Sequence, residues 1–357
     1  MSPERRPRVV LLTEIPAPYR IPLFNALAER IDLSVVFLRE RNPYRPYGLH
    51  RREWRFSARV LPGRDLTIGG RWLVLNAGAA HAVDDADVVV LGGWNQPAFW
   101  LALGRSRRRR IPVCTWVEST MRDSRATILA PLKRRLLRSS SIVFVPGTDS
   151  HELVRQLGVS PGKIVTTPNA VDTALFAAAA DRRRPAERCR VLYVGRLAPE
   201  KGVDLLLRSV AGLDVEMIVA GSGPEEESLR ALAPGVRFLG HVDRDALVDV
   251  YADADVLVLP SWSEPWGMAL NEGAAAGLPL VASEAAGATT SLIVDGENGF
   301  RFPAGDVEAL RGALTTLAAD PELRARMGAR SRELSAAYTP ARWAAAVAEG
   351  VTTLARR

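Results

Sequence analysis

The sequence predicts an α/β protein made of two facing, doubly wound, Rossmann-like domains. Three observations predict it. Short β-branched runs alternate with helix-period stretches along most of the 357 residues, the pattern of parallel sheets covered by helices. The rhythm breaks once, around 172–188, and then resumes. The length, with 47% apolar composition, suits two domains with sizeable cores.

In chain order, the first series of strands is Val9–Thr13, Leu33–Phe37, Asp87–Leu91, Ile111–Val117 and Ile142–Val145, which assigns residues 1–172 to a first domain. Residues 173–188 lose the strand pattern and carry a charge cluster and Pro185, so they read as a linker. The second series, Val191–Val194, Val215–Ala220, Val236–Leu239, Val256–Pro260 and Pro279–Ala282, assigns 189–336 to a second domain. From Asp306 onward the pattern is helical and alanine-rich. Thr339-Pro340 resembles an N-cap followed by proline at the first helical position, so 337–357 is expected to form a last helix.

Composition narrows the classes. No run approaches the roughly 20 apolar residues of a membrane span, and Val9–Thr13 behind the basic N-terminus is too short for a signal-peptide core, so a cytoplasmic protein is expected. Cys114 and Cys189 have no metal-ligand spacing and read as reduced and inert. The net charge of +7 is almost all arginine; Lys133, Lys163 and Lys201 are the only lysines, which makes Lys201 inside a motif informative. The basic stretches Arg105–Arg110 and Lys133–Arg138 lack interleaved aromatics, so a nucleic-acid partner is not expected. They read as a solvated surface or, functionally, as peripheral contact with an anionic membrane face.

The chemistry concentrates in the second half. In Leu259-Pro-Ser-Trp-Ser-Glu-Pro-Trp-Gly-Met-Ala-Leu-Asn-Glu-Gly273 a strand runs into a turn and then a helix. Glu264 falls on the turn and Glu272 in the helix, both able to face the space beyond the strand's carboxyl end, where open α/β sheets bind ligands. Gly267 and the amides that follow make a helix N-terminus, a seat for phosphate or an oxyanion; a plain βα turn is the other reading. Gly195-Arg-Leu-Ala-Pro-Glu-Lys-Gly202 puts Arg196 and Lys201 on one strand-to-helix loop between glycines, which suits a diphosphate, or else a basic loop capping a helix. Gly221-Ser-Gly-Pro224 begins like a dinucleotide fingerprint, but Glu226 replaces the third glycine, a poor fit to a nicotinamide enzyme. Gly240-His241-Val242 ends a strand where backbone groups can meet a base edge, and His241 reads as a solvated turn residue.

Taken together, Gly195–Gly202, the Gly221 turn, Gly240-His-Val242, Ala252–Ser261 and above all Glu264-Pro-Trp-Gly-Met-Ala-Leu-Asn-Glu272 resemble the retaining family 4 glycosyltransferases, a GT-B group with a Glu-x7-Glu signature. The resemblance covers the second half through Val294-Asp-Gly-Glu-Asn-Gly-Phe300. It implies a nucleotide-diphosphate-sugar donor on the second domain, a glycan, lipid-linked or small-molecule acceptor on the first, a cleft between them, and a final helix that crosses back to the first domain. By position, Gly195, Arg196 and Lys201 match the diphosphate loop, Glu272 the carboxylate on the ribose, and Glu264 with Trp266, Gly267, Met268 and Ala269 the group that orients the donor sugar and its phosphate. The implied reaction is front-face transfer with retention. Preorganised donors aimed at the departing diphosphate are commonly worth about 3–4 kcal/mol each, so neither a metal nor a cofactor is expected. A retaining glycosidase fits poorly: its carboxyls lie roughly 5–5.5 Å apart, whereas eight helical residues span about 12 Å.

The first half departs from the family pattern. The loop Thr13-Glu-Ile-Pro-Ala-Pro-Tyr-Arg20 replaces the Gly-rich loop of many relatives; Pro16 and Pro18 stiffen it, and Tyr19 or Arg20 can reach the acceptor, or else pack and cap a helix. Val113-Cys-Thr-Trp-Val-Glu-Ser-Thr-Met-Arg122 lacks the cleft histidine of many relatives, and Glu118 stands as its replacement. Trp94 after Gly92-Gly93 offers an aromatic face to a sugar. Two other readings stay open on the sequence: a sugar-nucleotide epimerase or hydrolase of the same fold, and a noncatalytic sugar-nucleotide-binding or arginine-rich nucleic-acid-binding protein.

Overall fold

A computed structural model describes residues 5–42, 49–68, 71–120 and 130–356. Met1–Glu4 of the basic N-terminus, and Met121 and Arg122 of the stretch after Glu118, lie outside the described residues. The chain divides into two compact units, 1–168 with 340–357, and 169–339.

The first unit is built on a seven-stranded parallel sheet of order β3-β2-β1-β6-β7-β8-β9. Its strands are β1 (Arg8–Thr13), β2 (Asp32–Phe37), β3 (Ser57–Val60), β6 (Val88–Leu91), β7 (Val113–Trp116), β8 (Ile142–Val145) and β9 (Ile164–Thr166). The central strands are apolar along their length, as a sheet covered on both faces requires: every residue of β6 and of β7 is buried. A separate antiparallel hairpin, β4 (Gly63–Ile68) and β5 (Arg71–Asn76), precedes β6. The strand order reverses between β1 and β6, which puts the switch point of the sheet there.

The last helix, Pro340–Ala355, is a layer of this unit. Trp343, Ala344, Val347, Ala348 and Val351 recur at helical spacing and are buried. The helix lies against the helix Ile21–Ala28, with the Trp343 ring 5.1 Å from that of Trp116 and 6.4 Å from that of Phe24.

The second unit holds a six-stranded parallel sheet of order β12-β11-β10-β13-β14-β15. Its strands are β10 (Cys189–Val194), β11 (Val215–Ala220), β12 (Arg237–Gly240), β13 (Val256–Leu259), β14 (Leu280–Ser283) and β15 (Gly299–Phe302). Here too the order reverses beside the first strand, between β10 and β13. Arg190 ties that pair together at its amino end through Asp255 (2.9 Å) and Asp253 (3.0 Å). The helices Val307–Ala319 and Pro321–Ser335 each start at an aspartate whose side chain accepts from a backbone N–H, Asp306 from Ala309 and Asp320 from Leu323.

The expected linker at 173–188 is corrected. Thr173–Arg182 is a helix of the second unit, capped by Asp172, with Phe176 and Ala179 in the core. Alanine-rich sequence favours helix once a cap is in place. The charge cluster behind it is structural: the Arg183 guanidinium donates to the carbonyls of Ala276 (2.8 Å) and Gly277 (3.1 Å), at the C-terminal end of the helix Met268–Ala275. Burial lowers the Arg183 pKa from its ordinary value. The cysteines are buried and free, and burial pushes the thiols of Cys114 and Cys189 up to about 12 and about 11, which keeps them from acting as thiolates. Among the described residues no helix is long and apolar enough to cross a membrane.

Candidate functional site

In the second unit the motif residues converge on the carboxyl ends of β10 and β13, at the switch point. Two backbone approaches make the loop after β10. A Cβ on Gly221 would collide with the carbonyl oxygen of Gly195, and one on Gly223 with that of Leu197, so only glycine lets these loops lie on each other. Tyr193, fully buried, donates its hydroxyl to the Arg196 carbonyl at 2.9 Å and fixes the bend. Gly202 has φ +61 and sits against the Pro260 carbonyl, 2.5 Å from where its Cβ would be. This brings Lys201 to the turn after β13, where its ammonium bonds the Glu264 carboxylate; each side chain is 16% exposed. Arg196 is exposed and makes no ion pair among the described residues.

The turn itself is held on both sides. The amide of Trp262 donates to the Glu200 carbonyl, and the Glu264 carbonyl accepts from Gly287. Gly267 is the N-cap of the helix Met268–Ala275, at φ +100, with no side-chain cap. A Cβ there would lie 2.6 Å from Leu259 and 3.4 Å from the Glu264 side chain, so the amide end of the helix stays next to the carboxylate. The first N–H groups of Met268 and Ala269 then have no acceptor within the helix, and a helix end of this kind, here next to the Lys201–Glu264 pair, is one that can receive an anion. The Trp266 indole is buried and donates to Asn271 at 2.7 Å, which leaves only its backbone for a ligand.

One helical turn on, Glu272 accepts from the Tyr251 hydroxyl at 2.7 Å. Burial pushes the Glu272 carboxyl up to about 7, against the pull of Tyr251 and of Arg244. Burial, and then the neighbouring Glu272, raises the Tyr251 phenol well above its ordinary value, so it stays a donor. His241 is exposed, 3.6 Å from Asp243, and Val242 packs on the core, so the β12 end offers backbone rather than a catalytic imidazole. Sequence reasoning missed Tyr251, whose partner Glu272 lies 21 residues away and is met only through the tertiary fold; it also missed Tyr193 and Asn271, which bond Arg196 and Trp266 three and five residues away and stand inside the motifs themselves.

The first unit gathers a second cluster at the ends of β1, β6 and β7. Arg20 donates to Glu118 at 2.8 Å and to the Thr13 hydroxyl at 3.3 Å, and its guanidinium lies 4.5 Å from the centre of the Trp116 ring. Burial opposes its charge, but Glu118, with Tyr19 and Glu14, raises Arg20 above the ordinary arginine value. Tyr19 stands beside it, with the guanidinium 5.6 Å from its ring. Glu14 accepts from Asn95 at 2.7 Å. Trp94 is not an open platform: it packs on the core, and the buried Lys133 ammonium sits 5.5 Å from its ring centre.

Both halves of the chain match known domain families. Residues 8–170 match the glycosyl transferase 4-like domain and residues 178–334 the glycosyl transferases group 1. The chain is similar to D-inositol 3-phosphate glycosyltransferase of Acidothermus cellulolyticus, 36% identical over 207 residues that cover 50% of this chain and 46% of the relative. It is also similar to glycogen synthase of Mycobacterium tuberculosis, 31% identical over 208 residues, covering 55% and 49%. The chain spans about half the length of the curated relatives it matches. Among solved structures, it shares its fold with an Anabaena protein determined with UDP and glucose (TM-score 0.79, 18% identity, 97% of this chain and 100% of that one). Sucrose-phosphate synthase from Thermosynechococcus elongatus is similar too (TM-score 0.75, 21% identity, 98% of each chain).

Proposed function

The chain belongs to the family 4-like glycosyltransferases of GT-B fold, and from that premise we propose that it moves a sugar, with retention, from a nucleotide-diphosphate-sugar to an acceptor hydroxyl. One observation carries the reading: the Lys201–Glu264 pair lies against the uncapped helix N-terminus at Gly267, with Arg196, exposed and without an ion pair among the described residues, on the same loop as Lys201. Two cations and a helix dipole suit a diphosphate. The Glu272 carboxylate suits the vicinal hydroxyls of the ribose, and Glu264 the hydroxyls of the transferred sugar.

In the step proposed, the bond between the sugar and its phosphate oxygen breaks and the acceptor oxygen bonds the same face of the anomeric carbon. The acceptor proton passes to the departing diphosphate. Arg196, Lys201 and the amides of Gly267, Met268 and Ala269 meet the negative charge that accumulates there, and we assign no metal or cofactor to the step. Tyr19, Arg20 and Glu118 are assigned to the acceptor, a glycan, lipid-linked or small-molecule alcohol. The test is a thermal-shift panel of UDP-, GDP-, ADP- and dTDP-sugars, followed by the anomeric configuration of the product. A ligand at 100 times its dissociation constant stabilises by about 2.7 kcal/mol, so one nucleotide class should raise the melting temperature. No shift with any of them, or an inverted product, refutes the proposal.

Glu272 gives the site a pH dependence. Ribose hydroxyls donate to the ionised carboxylate, so binding favours the deprotonated form, and donor affinity should rise with pH up to about 7 and then level off. The Glu272→Gln enzyme should bind more weakly, with a higher KM, a smaller change in kcat and a flat profile over the same range. A wild-type profile equally flat refutes the role. For stability the sign is opposite: the folded chain holds this proton where an ordinary glutamate (4.5) has lost it, so the contribution is complete below 4.5 and gone above about 7.

Peripheral contact with anionic membrane is assigned to the exposed Arg134, Arg135 and Arg138, which line an open cavity of about 660 Å³ with Pro131 and Leu157. Arg105, by contrast, is held to Asp84 at 2.7 Å. Sedimentation with anionic vesicles should fall steeply as salt rises, because screening acts over about 8–10 Å near physiological salt. Equal binding to neutral vesicles excludes the contact.

A further inference from the structure

We infer that Asn271 is a positioning residue of the diphosphate seat, acting through the indole of Trp266; the assignment rests on the function proposed above. Asn271 stands fourth in the helix Met268–Ala275, immediately before Glu272, and is 1% exposed. Asparagine is a weak helix former and a costly group to bury, so this position needs a reason other than propensity or packing.

The hydrogen bonds supply it. The indole Nε1 of Trp266 donates to Asn271 Oδ1 at 2.7 Å, and Asn271 Nδ2 donates to the Asn169 carbonyl at 2.9 Å. The indole can only donate and the carbonyl can only accept, so the pair of partners demands one acceptor and one donor on a short side chain. Aspartate lacks the donor, leucine lacks both, and glutamine is a methylene too long. The amide thus ties three separate pieces of chain together: the helix, the turn that carries Glu264, and the first residue of the second unit.

Trp266 is held elsewhere as well, at its ring and at its backbone. Its ring lies 6.5 Å from that of Tyr338, and the Trp266 carbonyl accepts from Ala288 at 2.8 Å. With the side chain tied on one side and the carbonyl on the other, the backbone that leads from Trp266 into the Gly267 N-cap is restrained, and with it the amide end of the helix assigned above to the phosphate. Preorganised donors of this kind lose their effect when the turn can rotate.

The experiment uses the full chain and the nucleoside diphosphate that the panel selects, with the matching nucleoside as the second ligand, by titration calorimetry. Asn271→Leu and Trp266→Phe are each expected to weaken diphosphate binding about five- to tenfold, the usual scale of one hydrogen bond, and to leave nucleoside binding unchanged. Because the two residues act as one unit, the double variant should be no weaker than the worse single. Additive losses, equal loss of nucleoside, or wild-type binding by Asn271→Leu overturn the assignment. Should Asn271→Leu fail to fold, Trp266→Phe decides, since it removes the N–H and keeps a ring against Tyr338; normal binding then overturns it. A wild-type chain that binds no diphosphate defeats the proposed function itself and this assignment with it.

Discussion

Glu264→Gln is expected to lower kcat by about 10²-fold or more, the scale of a misoriented reacting group, while the nucleoside diphosphate binds at least as tightly as before. The two halves of that expectation have different causes. In the free chain the Glu264 carboxylate neutralises the Lys201 ammonium. A neutral amide keeps the shape and a hydrogen-bonding oxygen, but it returns a full positive charge to a loop assigned to phosphate. Ground-state affinity for the diphosphate therefore holds or rises. What is lost is the anionic partner assigned to the sugar hydroxyls, an interaction that matters at the transition state and so appears in kcat. Steady-state kinetics and calorimetry on the same variant decide. Normal kcat removes Glu264 from the mechanism, and a loss of diphosphate affinity equal to the loss of kcat makes it a binding residue only.

Lys201→Ala should act on the other limb, weakening the nucleoside diphosphate by about 10²-fold, in the 2–5 kcal/mol range for removing one partner of a desolvated charge pair, with the plain nucleoside unaffected. Two effects add. The cation is gone, and Glu264, 16% exposed, is left as an uncompensated negative charge beside the phosphate seat. Arg196→Ala should cost less, since Arg196 is exposed and strands no carboxylate among the described residues. The double variant Lys201→Ala with Glu264→Gln should then recover part of the diphosphate affinity that Lys201→Ala alone loses. Equal losses for nucleoside and diphosphate, or no recovery in the double variant, refute the assignment.

Much of this architecture was legible in the residues. Parallel strands buried on both faces are apolar throughout, so the runs Asp87–Leu91 and Val256–Pro260 read as strands of parallel sheets, and the strands Val88–Leu91 and Val256–Leu259 lie within them, every residue buried. Gly267 and the two glutamates around it announced a strand, a turn and a helix with its amide end open. Less was legible where the partner lies far along the chain. Nothing local to Tyr251 points to Glu272, and nothing local to Arg20 points to Glu118, 98 residues away. The error at 173–188 has a plain cause: Asp172 and a run of alanines spell a capped helix, but Pro185 and the arginines beside it look like punctuation. The hairpin Gly63–Asn76 escaped because β4 is exposed beyond its first residue, so no face of it is buried and its short Leu66-Thr67-Ile68 alternation marks no core.

The place of the helix Pro340–Ala355 within the first unit sets a timetable for synthesis. The ribosome delivers the strands of that unit first, yet the layer that covers Phe24 and Trp116 emerges only after Asn169–Thr339 has been made. At about 5–20 residues per second the interval is roughly 10–30 s. Through that time the nascent first unit presents an aromatic surface to the cytosol or to a chaperone, while the second unit, continuous in sequence, is free to finish. The order of completion is thus the reverse of the order of translation.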